Sequence, residues 1–274
     1  MNVLIVGLGL IGGSYAKGLT KKGYKVYGVD KNLETIEYAK KEGFIIDGGI
    51  TPECFITNAD LIVICLYPND VVPFIKDNLH LFKEGQVVTD VCGIKTNICH
   101  EATKILKNAN FIGSHPMAGR EKVGVRFSDE KIFVGTNFLL CPIEGTAPKA
   151  IDVVSQMAYD LGFKVVHKIT PEFHDEMIAY TSQLTHAIAV GLVNANQSEE
   201  VAGFIGDSYR DLTRIAMINE SLWGELFIEN KANLNEQIDS FICELENIKN
   251  AVNSENLDEL KKMFISSKKK REVM

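Results

Sequence analysis

The chain has 274 residues, 46% hydrophobic and 24% charged, with a formal net charge of -7. So much apolar material fills one large or two medium cores, and an acidic balance argues against a nucleic-acid partner, because a phosphate-binding protein carries a basic face. No apolar run reaches the ~18 residues that a membrane span requires, and Cys54, Cys65, Cys92, Cys99, Cys141 and Cys243 form neither a C-x-x-C pair nor a cluster with histidines, so no metal site or disulfide framework is expected.

Met1 leads directly into the strand-like Val3-Leu4-Ile5-Val6, without the charged and apolar regions of a signal peptide, so a cytoplasmic protein is expected. That strand runs into Gly7-Leu8-Gly9-Leu10-Ile11-Gly12-Gly13-Ser14 and then a helix, the setting in which a G-x-G-x-x-G pattern carries weight. Gly7 permits the tight turn, Gly9 lets the backbone approach a pyrophosphate, and Gly12 allows helix to pack on strand. The N–H groups at the helix start, Leu10 and Ile11, face the phosphates. The next strand, Lys25 to Val29, ends at Asp30, where a carboxylate accepts from the adenosine ribose and repels a 2′-phosphate. This favours NAD over NADP, with Lys31 beside it as a partial offset.

Further strands are expected at Leu61 to Leu66, Gln86 to Thr89, Asn110 to Gly113, Asn137 to Cys141 and Lys164 to His167, with helical patterns at Leu33 to Glu42, Val71 to Leu79 and Ala147 to Leu161. The alternation predicts an α/β, Rossmann-type, doubly wound and mostly parallel sheet over residues 1–169. Ligands of such sheets lie beyond the carboxyl ends of the strands, so Leu66-Tyr67-Pro68, Asp90-Val91-Cys92-Gly93 and Ser114-His115-Pro116 are candidate lining segments. His115 ends a strand and opens the loop Met117-Ala118-Gly119-Arg120-Glu121; a catalytic base or a capping role both fit it.

After Thr170-Pro171 the pattern turns wholly helical, which defines a second domain over residues 170–274. Glu172 to Asn196 carries apolar and small residues around most of its circumference and is expected to be one helix buried on several sides. His174-Asp175, Ser182 and His186 form a polar cluster on it that needs partners, either a substrate or other buried groups. Arg210 and Arg214, four apart, are expected to share a helical face and to suit a dianion, with a helix-surface salt bridge to Asp211 or Asp207 as the plainer alternative. Leu234, Ile238, Phe241, Leu245 and Ile248 mark the seam of a helix packed lengthwise on another, and so apolar an all-α domain is expected to form a homodimer. The run Lys268-Lys269-Lys270-Arg271 reads as the solvated end of a helix.

Taken in order, the glycine turn, Ser114-His115-Pro116-Met117-Ala118-Gly119, His174-Asp175, Ser182 to His186, and Arg210-Asp211-Leu212-Thr213-Arg214-Ile215-Ala216 resemble the motifs of prephenate and arogenate dehydrogenases. The resemblance implies a dinucleotide domain followed by a helical dimerisation domain, with NAD as cofactor and prephenate as the small-molecule substrate, or arogenate in the alternative. It implies that His115 deprotonates the ring hydroxyl, that Arg214 binds a substrate carboxylate and that His186 positions the side chain bearing it. Glu121, Arg210 and Trp223 fall where that family has further pocket or gating residues. Where many members read G-S-V-K, this chain has Cys92-Gly93-Ile94-Lys95, so the serine hydroxyl beside His115 is replaced by Gly93, and a water or Cys92 is expected to take over. Arg120 stands where serine or threonine is common, a change that could alter carboxylate recognition.

Two other readings compete. A β-hydroxyacid dehydrogenase would need a lysine early in the second domain's first helix, and Glu172 to Asn196 contains none. A non-catalytic NAD-binding protein would need only the fold.

Overall fold

The computed structural model describes residues 1–107, 109–196 and 198–273. Its contacts gather Met1–Asn230 into one unit and Lys231–Met274 into a second. Thr170, where the sequence changes character, lies inside the first.

Eight strands form one sheet in the order β3-β2-β1-β4-β5-β6-β7-β8. β1 (Asn2–Val6), β2 (Lys25–Val29), β4 (Leu61–Ile64), β5 (Val87–Asp90) and the start of β6 (Asn110–Pro116) run parallel. They read as continuous apolar runs because both faces are covered. On one face lie α1 (Leu10–Lys21), α2 (Leu33–Lys41) and α6 (Pro148–Leu161), packed around Tyr15, Leu19, Ile36, Phe138 and Met157. On the other lie α3 (Glu53–Ile56), α4 (Pro68–Asp77) and α5 (Thr96–Ile105), around Ile62, Ile75, Phe82, Ile98 and Phe111. The doubly wound Rossmann-type architecture is thereby established.

The sequence reading missed β3 (Asp47–Gly49), which pairs with β2 from Tyr27 to Val29. Asp-Gly-Gly lacks the side chains that mark strands. A Cβ at Gly48 would lie 2.4 Å from the Gly28 carbonyl oxygen, so the close approach itself requires glycine.

β6 runs on past the parallel ladder to Pro116, and β7 (Asn137–Cys141) pairs antiparallel with this extension, setting His115 opposite Leu139. β8 (Val165–Lys168) follows parallel to β7 and ends the sheet.

The expected single helix over 172–196 is interrupted. α7 (Pro171–Ile178), capped by the Thr170 hydroxyl, passes through a π turn at Ala179–Gln183 into α8 (Leu184–Asn194). Its burial also differs from expectation. His174, Ile178, Ala179 and Ala189 are buried, but Leu192 and Val193 in the last turns are exposed. α9 (Asp207–Thr213) stops before Arg214, which opens a 3₁₀ turn over Arg214–Ala216, and α10 (Glu220–Glu229) completes the first unit.

The second unit is α11 (Lys231–Asn253) and α12 (Leu257–Glu272). Of the expected seam on α11, Leu234 is buried, whereas Leu245 and Ile248 are exposed. Lys268 to Arg271 lie exposed in the last turns of α12, where cations suit the helix dipole. Among the described residues, no helix is long and apolar enough to cross a membrane, and no group of three His, Cys, Asp or Glu side chains could hold a metal.

Candidate active site

The carboxyl ends of β1, β4, β5 and β6 converge on one region, and the glycine turn forms its floor. Gly7 has φ +89°, and a Cβ on it would sit 2.6 Å from the Cys65 carbonyl oxygen and 3.2 Å from Leu66 Cδ2. At Gly12 a Cβ would fall 1.8 Å from the Gly7 carbonyl oxygen, whereas at Gly9 it would meet nothing within 4 Å. The turn is thus locked by glycine on its protein side and open at Gly9, where Leu10 and Ile11 begin α1 with no side-chain cap. Such a cradle fits a pyrophosphate.

Asp30 follows β2 and accepts from Leu8 N at 2.8 Å and Asn32 N at 2.9 Å, so its carboxylate braces the turn while each oxygen keeps a lone pair for a ribose hydroxyl. Lys31 is exposed beside it. Leu66 borders Gly7, and Pro68 is buried as the first residue of α4.

His115 stands at the end of β6, half-buried, with Nδ1 2.9 Å from His174 Nε2. His174, fully buried on α7, places its own Nδ1 2.8 Å from Asp175 Oδ1. Asp175 also accepts from Lys95 N at 2.7 Å and Thr96 N at 2.8 Å, at the start of α5. Burial pushes the Asp175 carboxyl up, but the bonds from His174 and Thr96 outweigh it, so its pKa is lowered and it stays ionised. An acceptor-only carboxylate fixes the tautomers in sequence. His174 donates Nδ1–H to Asp175 and accepts at Nε2; His115 donates Nδ1–H to His174, leaving Nε2 with a free lone pair. Desolvation, then the nearness of His174 and Lys95, hold the His115 pKa well below the ordinary histidine range, which keeps that lone pair available. Desolvation likewise lowers His174 against the pull of Asp175.

Beneath this relay is a fully buried ion pair between Lys95 Nζ and Asp90. Asp90 also accepts from Cys92 N at 2.9 Å and Ser114 N at 3.3 Å. Desolvation works against the Lys95 charge, but Asp90 prevails and the lysine pKa is raised. Asp90 and Lys95 therefore join β5, β6 and α5 directly behind His115.

A Cβ at Gly93 would lie 3.8 Å from His115 Cε1 and 3.2 Å from Leu226 Cδ2, so this glycine borders the base. Cys92 does not take over the missing hydroxyl: its thiol, raised in pKa by burial, points to the Leu66 carbonyl oxygen at 3.5 Å.

The remaining expected residues separate. His186 stacks on Trp223 with ring centroids 3.5 Å apart, and its Nδ1 lies 2.9 Å from the Ser182 carbonyl oxygen, so Ser182 acts through its backbone at the π turn rather than through its hydroxyl. Desolvation is the main cause that lowers the His186 pKa, while Glu121 raises and Arg214 lowers it, which places both charges near the ring. Arg214 and Glu121 form an ion pair with each other. Arg210 takes the plainer alternative, an exposed pair with Asp207 at 2.9 Å, and because α9 ends at Thr213 it shares no continuous α-helical face with Arg214. Arg120 likewise pairs with Asp129 at 2.9 Å. The sequence offers His115, His174 with Asp175, and the segment from Asp90 as separate candidates; it does not offer the link from His174 to His115 or the ion pair of Asp90 with Lys95. A charged pair within six residues of a strand end was the available signal.

The family models agree with this architecture: the prephenate dehydrogenase nucleotide-binding domain matches residues 15–167 and the prephenate dehydrogenase dimerization domain matches residues 170–266. A prephenate dehydrogenase of Bacillus subtilis is 28% identical over 98% of this chain and 75% of its own length. The crystal structure of prephenate dehydrogenase from A. aeolicus in complex with hydroxyphenyl propionate and NAD+ superposes with a TM-score of 0.91 and 31% identity, covering 100% of this chain and 98% of that one. A Synechocystis arogenate dehydrogenase structure gives a TM-score of 0.86 and 25% identity, covering 99% of each chain.

Proposed function

The chain belongs to the prephenate dehydrogenase family and is an NAD-using dehydrogenase; within that family we propose that it oxidatively decarboxylates prephenate to 4-hydroxyphenylpyruvate. The relay from Asp175 through His174 to His115 carries this reading, because it presents an unprotonated Nε2 beside the coenzyme end of the sheet.

In this reading His115 Nε2 accepts the ring hydroxyl proton, and the positive charge that develops is shared along the relay toward Asp175. Gly7, Gly9, Leu10, Ile11, Gly12 and Asp30 would hold NAD, which would supply the acceptor for the hydride lost by the ring carbon that bears the hydroxyl. As the carbonyl forms, the bond to the ring carboxylate breaks, carbon dioxide leaves and its electron pair enters the ring, which becomes aromatic. Arg214 exchanges Glu121 for a substrate carboxylate, and His186 on Trp223 positions the side chain that bears it. Arg210, exposed on Asp207, contributes positive field rather than contact. The apolar residues left exposed on the helices, among them Leu192, Val193, Phe204, Met217 and Phe264, fit a homodimer through the C-terminal helices.

The deciding experiment is NADH formation by purified protein with prephenate and with arogenate in parallel, and His115→Asn as control. Prephenate-dependent NADH that the substitution abolishes is the expected result. Activity on arogenate alone moves the assignment to that substrate, and turnover of neither by protein that binds NAD overturns it.

A further inference from the structure

A line of contacts joins the glycine turn to α10, and none of the chemistry above uses it. Cys65 and Leu66 lie against Gly7 and Gly12. Directly after them, the Tyr67 hydroxyl accepts from Asn219 Nδ2 at 3.0 Å, and Asn69 N, in the first turn of α4, donates to Glu225 Oε2 at 3.0 Å. Asn219 is committed on both sides, because its Oδ1 caps α10 by accepting from Leu222 N at 3.1 Å. α10 in turn carries Trp223, stacked on His186, and Leu226, packed against Gly93 beside His115. The Leu226 carbonyl accepts from the buried Gln183 at 2.9 Å, which ties α10 to the π turn.

We infer that Tyr67 and Glu225 are positioning residues that make the coenzyme and the aromatic-ring or cyclohexadienyl carboxylate bind cooperatively. The inference rests on the function proposed above. A coenzyme seated on the glycine turn restrains residues 65–68, and the two hydrogen bonds pass that restraint to α10. Trp223 and Leu226 are then already ordered when the second ligand arrives, which removes part of its ordering cost. Linkage requires the effect to run equally in the other direction.

The test is calorimetric titration of the intact chain with 3-(4-hydroxyphenyl)propionate, with and without saturating NAD. In the unsubstituted protein NAD is expected to tighten the carboxylate by about fivefold or more. Tyr67→Phe combined with Glu225→Ala is expected to remove most of that gain while the Kd for NAD alone changes by less than about twofold. Glu225→Gln, whose amide oxygen still accepts from Asn69, is expected to keep its share. A merely structural role would raise the Kd for the carboxylate equally with and without NAD, leaving the ratio intact, and that result overturns the inference. So does a ratio of one in the unsubstituted protein. If that protein binds neither ligand, the proposed function falls as well; if it binds both and oxidises prephenate while the variants keep its ratio, this inference alone falls.

Discussion

The Nδ1 of His115 lies 2.9 Å from the Nε2 of His174, so two neutral imidazoles share one proton and orient each other. Replacing His115 by Asn is expected to lower kcat by about 100-fold or more, the usual worth of a general base. His174→Phe removes the acceptor that fixes the His115 tautomer and is expected to lower kcat by about tenfold or more with the KM for NAD unchanged. Steady-state kinetics against both substrates separates these outcomes.

Both histidines have folded pKa values below their unfolded ones, chiefly through desolvation. The unfolded chain therefore binds more protons below pH ~6.5, and stability is full above that value and falls as the pH drops. For the fully buried His174 the slope approaches about 1.4 kcal/mol per pH unit at most. Urea unfolding between neutral and mildly acid pH should show this loss, and His174→Phe should flatten it.

Gly93→Ser would place a hydroxyl next to His115 with only Leu226 Cδ2 needing to shift. One added hydrogen bond of about 1 kcal/mol predicts a rise in kcat/KM of about fivefold. A fall beyond about twofold would show that the space at Gly93 is itself needed.

Lys95→Met leaves Asp90 buried without its cation, for an expected loss of about 3–5 kcal/mol. The double variant Asp90→Asn with Lys95→Met should recover part of it. Denaturant midpoints of the two variants and the unsubstituted protein decide the point.

Asp30→Ser removes the carboxylate that braces Leu8 and Asn32, and should raise the KM for NAD by about tenfold while admitting NADP. Initial rates with the two coenzymes measure both effects.

The parallel sheet was legible because its strands are apolar on both faces and the glycine turn has local requirements at Gly7 and Gly12. β3 was not, since Asp47-Gly48-Gly49 pairs through backbone alone. In the site, single positions could be read, but their pairings could not: His115 and His174 are 59 residues apart, and β7 and α7 bring them together. Arg210 and Arg214 misled because four-residue spacing implies a common face only while the helix continues, and α9 ends between them. The π turn at Ala179–Gln183 has no marker in a pattern of small and apolar residues.

β7 reverses against β6, so the chain leaves the sheet at Pro116 and returns at Asn137 on the same edge, with Met117 N bonded to the Asn137 carbonyl oxygen at 3.0 Å. A crossover to a parallel strand would have carried residues 117–136 to the far end of the sheet. Instead they fold back along α1, with Asp129 N donating to Ser14 Oγ at 2.9 Å and Val125 and Phe133 buried in the core, and their two ends are clamped together at the sheet. Insertions or exchanges in their exposed stretch, residues 119–123, which carries Glu121 to Arg214, can reshape what the pocket admits without changing the register of any strand, so relatives should diversify their substrates there first.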